Sequence, residues 1–137
     1  MTFLSALAPR WLRPSAMLLV CATLAACASH PIPPAWQSRA QSASERAITA
    51  TLVGEQRIAT LEWERARQAL ASTARPDLLA RLELQRCAAL FASLQPLPCP
   101  GFDALAADAS TADHAYAAYL AGQASAAQAA LLPATQQ

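Results

Sequence analysis

Apolar residues recurring at three- and four-residue steps constrain this chain more than any other feature. From Glu55 to about Thr73, the residues Ile58, Ala59, Trp63, Ala66, Ala69 and Leu70 fall on one face of a helix, because 3.6 residues make a turn. Composition extends that reading along the chain. Of 137 residues, 36 are Ala and 20 are Leu, both strong helix formers. β-branched residues are scarce, which argues against an all-β domain. Gly occurs only three times, so a collagen-like chain is excluded. Hydrophobic residues make up 55% and the net charge is +1, which excludes a highly charged disordered chain. All ten basic residues are Arg, set against nine Asp and Glu. With no basic excess to neutralise phosphates, nucleic acid is not an expected partner.

The pattern predicts an all-α fold, a small bundle of four to five helices in antiparallel hairpins over residues 36–137. The first helix is expected from Trp36 to Val53, broken by Gly54. The second follows to Thr73. The third begins at Pro76, a favoured first helical position, and runs to about Leu94. Apolar residues lie nearly all round it, so it should be central and mostly buried. Gln95-Pro96-Leu97-Pro98-Cys99-Pro100-Gly101 cannot continue a helix, because its prolines remove donors and clash with the preceding turn. A short helix is expected at Asp103 to Ala107. Another is capped by Ser110 or Thr111, with Asp113 in its first turn, and stops near Gly122. A last one spans Ser125 to Leu132, and the tail from Ala134 frays.

The N-terminus has a different character. Arg10 and Arg13 precede an 11-residue apolar run, Ala16 to Ala26, with no acidic residue before Glu45. A membrane-spanning helix needs about 20 apolar residues, whereas a secretory signal uses about 7–15. The run ends in Leu24-Ala25-Ala26-Cys27, which resembles the lipobox of bacterial lipoproteins at every position. The resemblance implies that residues 1–26 are a cleaved signal peptide and that Cys27 carries lipid. It also implies a membrane anchor through Cys27. An ordinary signal cut near Ala26-Cys27-Ala28 is the alternative. Ala28 follows the lipidated position where Asp often retains proteobacterial lipoproteins at the inner membrane. The periplasmic face of the outer membrane is therefore expected in a host with two membranes. Residues 27–35 contain Pro31, Pro33 and Pro34 and read as a tether, or else as a Pro-rich docking peptide. From Cys27 onward eight Arg oppose nine acids, which gives no electrostatic argument for polyanion or acidic-lipid binding.

A second resemblance is local. Gly54-Glu55, Ala59, Trp63 and Ala66 are spaced as in the second half of a tetratricopeptide repeat. Gly122-Gln123 and Ala127 repeat the start of that pattern two periods later. The middle repeat would require a turn near Ala88, inside the third helix, and most first-helix positions are Ala. The resemblance implies helical hairpins packed side by side.

Few residues carry chemistry. Cys87 and Cys99 are an even pair in the oxidising compartment that the lipobox implies, so a disulfide is expected. The helix climbs about 10 Å from Cys87 to Leu94, and the five residues to Cys99 reach back about 17 Å. His30 and His114 are the only histidines, too few for a zinc site with three or four ligands, and no metal or cofactor is expected. No nucleophile elbow, phosphate loop or zinc-protease motif occurs. Glu62 and Glu64 point to opposite sides of one helix, which leaves no glycosidase-like pair. Tyr116, Tyr119 and Trp63 read as core residues, with a peptide groove as the alternative. Glu62 falls on the apolar face of the second helix and Arg86 among leucines of the third. About 12 residues either side of a turn at Ala74 and Arg75, they are expected to form a buried ion pair. The expected function is a non-enzymatic lipoprotein, a helical binding, assembly or accessory module with an envelope protein partner. An envelope enzyme or enzyme inhibitor, for example peptidoglycan-related, is the alternative.

Overall fold

The computed structural model describes residues 32–95 and 98–136. Residues 1–26, expected to be a signal peptide, Cys27, expected to carry lipid, and most of the expected tether lie outside the described residues. Every regular element among the described residues is helical, and all belong to one unit, Pro33–Gln137. Helix α1 spans Ala35–Leu52, α2 Gln56–Ala71 and α3 Pro76–Ala92. Shorter elements follow: α4 Pro100–Asp103, a 3-10 turn Ala106–Asp108, α5 Thr111–Leu120, α6 Ala126–Ala129 and a 3-10 turn Ala134–Gln136. No described helix is long and apolar enough to cross a membrane.

Helices α1 and α2 form a hairpin built on small residues. Ala40, Ala43, Ala47 and Ala50 make the buried stripe of α1, and Ala59, Trp63, Ala66 and Leu70 answer from α2. A methyl group at each contact lets the backbones approach closely, and Trp63 fills the remaining volume. Its indole N–H is not left unsatisfied. Nε1 donates to Thr51 Oγ1 at 3.2 Å, and that hydroxyl donates to the Ala47 carbonyl at 2.7 Å. Gly54 ends α1 at φ 81°, while the Glu55 N–H reaches back to the Ala50 carbonyl at 2.8 Å. That double-back needs a left-handed residue, which Gly supplies without strain.

Helix α3 is shared between two apolar clusters. Leu82 and Ala89 pack into the α1–α2 cluster, with Leu78 and Leu79 against its edge. Ala80 and Leu84 face the other way, onto Phe102, Leu105, Tyr116 and Leu120. Its all-round hydrophobicity therefore has a structural reason, and it is central as expected. It runs unbroken through Ala88.

The departures are confined to the C-terminal third. Helix α4 starts at Pro100, three residues before the expected Asp103. Pro100 sits at a first helical position, where its missing N–H is harmless. The last α-helix is only Ala126–Ala129 instead of Ser125 to Leu132, and the expected frayed tail winds into a 3-10 turn. Ser110 caps α5 as expected, in a full capping box with Asp113.

Candidate functional site

The expected Glu62–Arg86 pair does not form. Glu62 is buried, only 5% exposed, but its carboxylate faces α1. Arg46 Nε and Nη2 both donate to Oε2, at 3.0 and 2.9 Å, and Arg65 Nη1 donates to Oε1. Arg86 is exposed on α3 and takes no part in this bridge. The physical reason is the direction in which α2 turns its apolar face. That face packs on the alanine stripe of α1, so a charge carried on it meets α1. The α2–α3 ion pair is instead Arg67 with Glu83, placed symmetrically about the turn at Ala74 and Arg75. Glu83 is itself buried, 7% exposed. A Cβ added at Gly101 would stand 2.8 Å from Glu83 Cδ, so any other residue there would require the Glu83 carboxylate to shift.

Electrostatics at Glu62 follow from these contacts. The Arg46 hydrogen bond holds its carboxyl below the usual carboxylate range, outweighing the upward push of burial, and the charges of Arg46 and Arg65 add to the effect. Asp113 behaves similarly. Burial pushes it up, but hydrogen bonds from Ser110 and from Arg81 Nε, at 3.2 Å, bring it below its ordinary value. Nothing in the sequence beyond its place as a capping residue pointed to Asp113 as the anchor between α5 and α3.

Cys87 and Cys99 stand at disulfide distance, with Cα atoms 5.8 Å apart. The pair ties the end of α3 to the residue before α4. His114 is exposed on α5 and sets its ring against the edge of Phe102, centroids 5.9 Å apart. Among the described residues no three His, Cys, Asp or Glu side chains gather as a metal site. Trp63 belongs to the core. Tyr116 packs on the second apolar cluster, and Tyr119 stacks on it at 6.0 Å while remaining 43% exposed.

Two open grooves flank α1. One, about 580 Å³, runs between α1 and α2 and is lined by Trp36, Arg39, Ser42, Arg46, Arg65 and Gln68 among others. No acidic side chain lines it. A chain with a net charge of only +1 thus gathers three guanidinium groups along one furrow, a segregation that the charge count conceals. The second groove lies between α1 and α3. Its two cavities, about 370 and 320 Å³, both have Gln85 in their walls. The first mixes polar side chains, Gln41, Ser44 and Arg81, with apolar ones such as Leu78 and Leu82, and the second is apolar, with Ile48, Leu52, Ala92 and Tyr116. No family model, no curated protein and no solved structure matches this chain.

Proposed function

We propose that the chain is a lipoprotein anchored through Cys27 at the periplasmic face of the outer membrane, and that its helical domain is a non-enzymatic binding module for an envelope partner. The observation that carries the reading is the open ground on both flanks of α1, the helix that follows directly on the Pro-rich tether. Side-by-side helices with an open furrow between them are a common way to bind a peptide or small ligand. The repeat-like residues Gly54, Ala59, Trp63 and Ala66 support a hairpin scaffold of that kind. An enzyme would favour a carboxylate pushed up into the working range of a general acid. Glu62, the carboxylate beside the α1–α2 groove, is pushed down, which suits a residue that organises arginines. In a bacterium with two membranes, the chain should take up labelled palmitate and the Cys27→Ser chain should not. A photocrosslinker at Gln85 should then yield discrete adducts with an envelope protein. Palmitate uptake by the Cys27→Ser chain would refute the anchor, and a Gln85 probe without adducts would refute the binding module.

A further inference from the structure

We infer that the α1–α2 groove is a binding site for a phosphate ester, with Arg39, Arg46 and Arg65 taking the phosphoryl oxygens and Trp36 the organic part. The groove has the volume for it, about 580 Å³, within the range of small-ligand sites. Its charge has one sign. Arg46 and Arg65 come from different helices and are held on opposite oxygens of the same buried carboxylate, Glu62. This positions both side chains in advance, so little ordering remains when an anion arrives. One Glu62 carboxylate offsets one of these two guanidiniums, and Arg39 adds a further unopposed one.

The donors that remain suit phosphate. Arg46 spends Nε and Nη2 on Glu62, and among the described residues its Nη1 has no partner. Arg39 has no ion-pair partner among the described residues. A guanidinium offers five N–H donors in a fixed fork, and such forks match phosphoryl oxygens in pairs. Arg39 and Arg46 lie two turns apart on α1, about 10 Å along the axis. An ester longer than a bare phosphate would therefore span the groove. Trp36, half-buried beside Arg39, offers an aromatic wall to glycerol or a sugar. The same chemistry is presented by a soluble phosphate ester and by a phospholipid headgroup. The site stands on the described residues and is independent of lipidation at Cys27.

The test is a titration of the full-length chain in neutral micelles with glycerol 1-phosphate, following the arginine Nε–H and tryptophan indole signals by NMR. Saturable shifts are expected at Arg39, Arg46, Arg65 and Trp36. Arg39→Gln should weaken the midpoint about tenfold, the usual scale for losing one charge-assisted bidentate contact. Arg57→Gln, an exposed arginine of α2 outside the groove, should leave it unchanged. A second arm uses phosphatidylcholine vesicles with and without one-fifth phosphatidylglycerol. Tighter binding to the anionic vesicles, lost in Arg39→Gln, identifies a lipid headgroup as the source. Binding to glycerol 1-phosphate alone identifies a soluble ester. Shifts that do not saturate, that sodium chloride reproduces at equal ionic strength, or that keep their midpoint in Arg39→Gln would overturn the site.

Discussion

Glu62 and Glu83 occupy equivalent roles on neighbouring helices, each a buried carboxylate reached by an arginine across a helix interface. Removing one partner strands the other charge, whereas removing both relieves it. The arginines here are half exposed, which reduces the penalty. Glu62→Ala should therefore lower stability by about 2 kcal/mol, below the 3–5 kcal/mol typical of fully buried pairs. A double-mutant cycle in urea should give about 1 kcal/mol of coupling between Glu62 and Arg46. The same cycle with Arg86 should give none. Coupling to Arg86 of equal size would contradict the geometry. The burial of Glu62 was legible from its helical wheel. Its partner was not, because a wheel fixes the direction of a side chain on one helix and says nothing about which neighbour lies there.

At the scale of elements, prolines and glycines carried most of the readable information, and the misreadings came from using half of it. Pro76 was read as a helix start and Pro100 only as a breaker, although both sit at first helical positions. The helix ends repeat one device. Gly54, Leu94 and Gly122 each adopt positive φ, at 81°, 60° and 70°. In each case the next N–H bonds five residues back, to Ala50, Leu90 and Ala118. Leu94 is the exception in chemistry. Its Cβ crowds the following carbonyl in that conformation, at about 1–2 kcal/mol. Its side chain is 89% exposed, so it recovers nothing by packing. Leu94→Gly should therefore raise the urea midpoint, equivalent to about 0.5–1 kcal/mol after the added flexibility of glycine in the unfolded chain. Gly54→Ala should lower it by a similar amount, with open space around the new methyl. A destabilising Leu94→Gly would mean that Leu94 makes a contact these helix ends do not account for.

The molecule as a whole should respond to acid more than to base. Glu62 and Asp113, with ordinary values near 4.5 and 3.8, are both held lower in the folded state. Between the folded and ordinary values the unfolded chain binds more protons, so stability falls as pH falls. The contribution is complete above about pH 5.5 and drains away below about pH 4.5, as the folded groups protonate. Melting temperature should be level from pH 7 to 5.5 and then decline, with a shallower decline in Glu62→Gln. An unchanged acid slope in that variant would remove Glu62 from the account. The fold class was legible at this scale because periodicity and alanine content act everywhere along the chain. The arginine furrow was hidden in the net charge, because Arg39, Arg46 and Arg65 come together only when α1 and α2 fold back on each other.

Helix α3 contributes one side to each apolar cluster, and this makes the domain indivisible. A fragment ending at Gln95 would keep the α1–α2 hairpin and its packing on Leu82 and Ala89. It would also present Ala80 and Leu84 to water along the opposite side of the same helix, a sticky ribbon with nothing to cover it. Such a fragment would find relief by pairing with its own kind. The short helices after Cys99, slight as they are, thus serve the rest of the chain as its outer coat.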